Sequence, residues 1–128
     1  MNISECAKLL ISILPSDWEK VVFSLFIRKC MVNGQDAFSK EFQCKCTAKS
    51  INEPIDLVSF YEDNIEMEDI LFSVLDFFYQ MYKEKSKDNF IIFKLCSDGS
   101  YEIKTTDKLE NDIKNSEIND IVLELLNK

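Results

Sequence analysis

Apolar and polar positions change period several times along the chain, and each change predicts an element. Residues 3–14 bring Ile3, Leu10, Ile13 and Leu14 to one helical face, and Pro15 ends that helix because the residue before a proline is pushed out of the α region. "WEKVVFSLFIRKCMV" follows, dense in β-branched and aromatic residues, and reads as a long strand with Phe23, Leu25 and Ile27 on one side and Ser24, Phe26 and Arg28 on the other. Asn33–Gly34 is a strong hairpin signal. After it "AFSKEFQCKCTA" alternates, with Phe38, Phe42, Cys44 and Cys46 on one face, as a half-buried antiparallel strand does.

A loop around Asn52 to Pro54 then leads into "EPIDLVSFYED", which reads as a third, less regular strand. From Met67 to about Lys85 the period becomes helical, since Ile70, Leu71, Val74, Leu75, Phe77, Phe78, Met81 and Tyr82 recur at three and four residues. "NFIIFKLC" and "SYEIKTT" flank an Asp98–Gly99 turn. A last helix is predicted with Ser116 as its N-cap and Ile118, Ile121, Val122 and Leu125 inward. The order α-β-β-β-α-β-β-α describes one α+β domain over residues 1–128, with helices covering an antiparallel sheet.

Composition narrows the chemistry. The 128 residues are 46% hydrophobic, enough for one core, yet no apolar run approaches the roughly 20 residues of a membrane span. The N-terminus lacks a basic region ahead of its apolar segment and is expected to belong to the folded domain, not to a signal peptide. Five cysteines favour a reducing cytoplasm over a disulfide framework and are expected to act as small buried hydrophobes. The absence of histidine removes Ser–His and Cys–His pairs and imidazole metal ligands, and two glycines cannot build a phosphate-cradling loop. An enzyme is disfavoured, and no cofactor or metal is expected. Cys44-x-Cys46 is too tight for the usual zinc spacing, and the acids do not follow a calcium-loop pattern.

Charge is the informative property. The net charge is −8, and between Ser50 and Tyr82 there is no lysine or arginine. That window holds Glu53, Asp56, Glu62, Asp63, Glu66, Glu68, Asp69 and Asp76, while the remaining 15 acids are balanced by 15 bases. Glu66, Glu68 and Asp69 suit the positive end of a helix dipole; the others are not explained by capping. An acidic face attracts a basic protein and repels nucleic acid. Tyr61, Tyr79, Tyr82 and Tyr101 are further interface candidates, although Tyr79 and Tyr82 fit the core or rim of the long helix.

The only tryptophan, Trp18, stands between the proline-ended helix and the first strand. It is placed to plug that corner with its ring buried and its N–H on a backbone carbonyl. The stretch "ILPSDWEKVVFSLFI" resembles the entry to strand one of the bacterial YezG-type immunity proteins. "LFSVLDFFYQMYKEKSKDNF" followed by "IIFKLCSDGSYEIKTT" is similar to the later part of that family. The specific part is "PSDWEKV"; the middle strands carry no family motif, and the terminal helix is an addition to the pattern. The resemblance implies a non-enzymatic immunity protein that binds and neutralises a cognate toxin domain of a polymorphic or contact-dependent growth-inhibition system. Trp18, Glu19 and Lys20 match the motif and take a structural role.

A toxin nuclease with a basic cleft would be met by the acidic residues Glu53, Asp56, Glu62, Asp63, Glu66, Glu68 and Asp69. The oligomeric state stays open, with a monomer favoured. The alternative is an acidic cytosolic chaperone of type III secretion, a homodimer holding an effector segment; such chaperones share this size, acidity and element order. Their usual Leu-Gly-Leu-Pro-like stretch is missing here.

Overall fold

A computed structural model describes residues 1–85 and 88–128. Its elements run α1 (Ile3–Ile11), β1 (Trp18–Val32), β2 (Gln35–Ala48), β3 (Ile51–Asp56), α2 (Leu57–Phe60), α3 (Ile65–Lys85), β4 (Phe90–Cys96), β5 (Tyr101–Thr106) and α4 (Asn115–Leu126). The predicted α+β order holds, with one short helix added. All neighbours in the five-stranded sheet, order β3-β2-β1-β4-β5, are antiparallel.

β1 is the central strand, and its alternation serves two cores. Val21, Phe23, Leu25 and Ile27 lie in a cluster with Cys6 and Leu10 of α1 and Leu71, Val74 and Phe78 of α3. Val22 and Phe26 lie in a second cluster with Phe90, Ile118, Val122 and Leu126. Helices therefore cover both faces of the middle of the sheet. The Phe78 ring, fully buried, lies 5.5 Å from Phe23 and 5.4 Å from Phe93, bolting α3 to β1 and β4.

Local chemistry sets the ends. Asn2 caps α1 by accepting from the Glu5 N–H at 2.9 Å. The helix stops at Ile11, short of Pro15, and tight bonds from Ile13 to Leu10 and from Leu14 to Ile11 close the chain down. Asn33 and Gly34 both take positive φ, 51° and 77°, the conformation of a two-residue hairpin turn whose twist matches the strands.

Four expectations are corrected. The third strand is Ile51–Asp56, and "LVSF" is helical, because the Asp56 carboxylate accepts from the Val58 N–H at 3.1 Å and starts a turn there. Pro54 sits in this edge strand, where a missing N–H is tolerated. Ser116 lies inside α4, whose N-cap is Lys114, and the fully buried stripe is Ile118, Val122 and Leu126, with Ile121 and Leu125 half-buried. Cys6, Cys44 and Cys46 are buried, but Cys96 is only partly so and Cys30 is exposed, since β1 runs on beyond the core it fills.

The fourth concerns Trp18: at the first position of β1, on the margin of the α1–α3 cluster, it is only half-buried, and among the described residues its indole N–H has no hydrogen-bond partner, so the expected bond to a backbone carbonyl is not made. Its neighbours tie down the same corner. The Glu19 carbonyl accepts from Ser97 N–H at 2.8 Å, and Lys20 Nζ reaches the Leu126 carbonyl at the C-terminal end of α4.

Candidate partner-binding face

The acidic segment starts on β3, passes through α2 and a turn, and ends on the outer side of α3. Two of the seven acids expected to meet a basic partner are occupied by the fold. Asp56 caps α2 and lies 3.6 Å from Lys45, the base paired to it across β2 and β3. Glu68 is half-buried, and its Oε1 accepts from the Asp63 N–H at 3.0 Å, across the turn that enters α3. Asn64 completes that turn by accepting from the Met67 N–H at 3.2 Å. Asp63 itself takes a left-handed φ of 68°, a conformation aspartate tolerates better than most residues.

Glu53, Glu62, Asp63, Glu66 and Asp69 are exposed, and among the described residues none forms an ion pair. Glu62 and Asp63 sit in the turn. Glu66 and Asp69, three residues apart, share a face of the first helical turns, and exposed Asp76 continues that side two turns on. Glu53 stands apart from them on the edge strand. Tyr61 holds the segment in place, since its hydroxyl donates to the Ile13 carbonyl and so ties the end of α2 to the end of α1. Burial raises the pKa of that phenol, so it keeps its proton.

The pattern of acids did not reveal the apolar residues among them. Phe60 is 66% exposed, Ile65 74% and Phe72 48%. Phe60 packs edge-on against Tyr61 at 5.0 Å, and Phe72 packs against Phe42 at 5.9 Å. Phe72 was detectable in the sequence, because it falls out of phase with the Ile70, Leu71, Val74 stripe. Aromatic and aliphatic anchors bordered by charge are the usual make-up of a protein-binding surface. The other tyrosines divide: Tyr79 and Tyr82 stack at 6.0 Å, half-buried, whereas Tyr101 is exposed on β5.

Farther along α3 lies a groove of about 810 Å³ between the start of α1, α3 and β5, with Ile3, Phe77, Met81 and Ile103 among its walls and Asp76 and Glu84 at its rim. Among the described residues no group of three or more histidine, cysteine, aspartate or glutamate side chains is arranged to hold a metal ion, and no helix is long and apolar enough to cross a membrane. These features define a small α+β protein with an acidic, apolar-studded face. No protein-family model matches the chain, and no curated protein matches it either.

Proposed function

We propose that this chain is an immunity protein, a cytoplasmic inhibitor that binds a cognate bacterial toxin domain with a basic substrate cleft. The observation that carries the reading is the turn and helix start at residues 60–72. There Glu62, Asp63, Glu66 and Asp69 are exposed without ion-pair partners among the described residues, beside exposed Phe60, Ile65 and Phe72. Acids placed this way stand in for the phosphates of a nucleic-acid substrate, and their field speeds encounter with a basic partner. The apolar residues supply the area that steering alone lacks. The resemblance of "PSDWEKV" to YezG-type immunity proteins supports the same reading.

The test is co-expression with the C-terminal toxin domain encoded by the neighbouring gene. Survival that depends on this chain, with a stable complex, is the expected result. Changing Glu62, Asp63, Glu66 and Asp69 together to their amides should slow association at least tenfold at low salt. Asp56 is left intact, since it starts α2. Unchanged affinity and salt dependence in that variant would remove the acidic face from the mechanism. A secretion chaperone is the second reading, and the apolar walls of the 810 Å³ groove favour it. It predicts a partner held as an unfolded segment and insensitive to the amide changes.

A further inference from the structure

The β1–β2 hairpin outruns the rest of the sheet. β4 pairs with β1 only from Lys20 to Phe26, and β3 pairs with β2 only from Lys45 onward, whereas β1 and β2 stay paired as far as Val32 and Gln35. Each side of the extension therefore has a bare edge, and the two are treated differently. On the β1 side the Asn111 side chain acts as a short piece of strand: its Oδ1 accepts from the Lys29 N–H at 2.7 Å and its Nδ2 donates to the Lys29 carbonyl at 3.0 Å. On the β2 side, among the described residues, no strand pairs before Lys45.

The turn fixes which groups that edge presents. A two-residue turn makes Val32 and Gln35 a hydrogen-bonded pair, so by antiparallel alternation Gln35, Ala37, Ser39, Glu41 and Gln43 bond to β1. Asp36, Phe38, Lys40 and Phe42 then turn their backbone N–H and C=O groups outward. Their side chains lie on the α3 side of the sheet, where Lys40 Nζ sits 4.0 Å from the Tyr79 ring and Phe42 meets Phe72. Phe38 is 54% exposed. An exposed edge with an apolar centre is a template for another strand.

We propose that the strand it takes is β2 of a second copy, paired antiparallel about a two-fold axis through Phe38. Charge selects the register. Centring on Ser39 would set Asp36 against Phe42, and centring on Lys40 would bring two lysines together. Centring on Phe38 sets Asp36 opposite Lys40 twice and the two Phe38 rings opposite each other. In this register the overlap ends where Phe42 meets Gly34 of the other copy, before Lys45, which pairs with Asp56 at the end of β3, so β3 does not obstruct it. The acids of residues 62–69 lie outside the paired span. Such a dimer departs from the monomer expected from the sequence, and it does not depend on the partner-binding reading above.

The test is sedimentation equilibrium of the full chain from micromolar to millimolar concentration, with three variants. The wild type should dimerise, and Asp36→Lys or Lys40→Asp alone should each weaken association by roughly tenfold, because two attractive cross-strand pairs become repulsive. Mixing those two variants restores opposite charges at both positions and should restore the dimer. Phe38→Pro removes an outward N–H while keeping the ladder to β1, and should leave a folded monomer. Hydrogen exchange gives a second readout, with the Asp36, Phe38 and Lys40 amides slowing as concentration rises. A wild type that stays single throughout, or a dimer indifferent to Asp36→Lys, overturns the proposal. A mixture that fails to associate overturns the register.

Discussion

Replacing Phe78 by alanine tests whether α3 is bolted to the sheet as described. The ring is fully buried and meets Phe23 at 5.5 Å, Phe77 at 5.2 Å and Phe93 at 5.4 Å, so its loss opens a cavity where α3 crosses β1 and β4. Truncating a buried phenylalanine costs about 3–5 kcal/mol, and the aromatic contacts place this site toward the upper end. For a domain of this size, whose whole stability is about 5–15 kcal/mol, that is a large share and lowers the melting temperature by roughly 12–20 °C. Phe72 on the same helix is the control. It is 48% exposed and, among the described residues, its one aromatic partner is Phe42, so Phe72→Ala should cost under about 1 kcal/mol. Guanidinium melts followed by far-UV circular dichroism measure both. Similar losses for the two, or less than about 2 kcal/mol for Phe78→Ala, would falsify the packing argument.

Three further outcomes follow from the same structure. Asp56→Ala should destabilise the protein by about 1–2 kcal/mol through loss of the α2 cap and the Lys45 pair, and Asp56→Asn by less, as chemical denaturation will report. Asn111→Ala should speed hydrogen exchange at the Lys29 amide and leave Cys30 unchanged, because among the described residues that side chain bonds to Lys29 alone; equal rates before and after would show that Asn111 does not close the edge. Burial pushes the Cys6 and Cys46 thiols from the ordinary value of 9.0 up to about 11. The unfolded chain therefore loses those protons first, so their contribution to stability is whole below pH 9 and drains away as pH rises toward 11. Cys6→Ala and Cys46→Ala should each flatten that alkaline decline in pH-dependent melts, and an unchanged slope would refute the assignment.

Much of the fold was legible because long elements repeat their pattern. β1 carries 15 residues of β-forming character, and α3 shows its apolar stripe over several turns. α2 was hidden because four residues show no period, and its start rests on one carboxylate whose capping role depends on backbone geometry. The alternation of β1 put Ser24, Phe26 and Arg28 on its second side but not what covers it: Ser24 is buried there between Val22 and Phe26, which pack against α4, a segment nearly a hundred residues away. At the candidate site, charge marked the segment but could not separate Asp56 and Glu68, which the turns employ, from Glu62 and Glu66, which they do not. Nor does periodicity reveal which edge of a hairpin stays bare.

Because β1 contributes side chains to both apolar layers, neither layer can lose its order while the other stays whole. Val22 and Phe26 alternate with Val21, Phe23 and Leu25 on a single backbone, so rotating or fraying that strand disturbs both clusters together. Unfolding of the two halves is consequently coupled, and a probe on α4 should report the same transition midpoint as a probe on α3. A binding event that strains α3 would likewise be felt beneath α4, on the opposite side of the sheet, through a strand that ligands on either side need not touch.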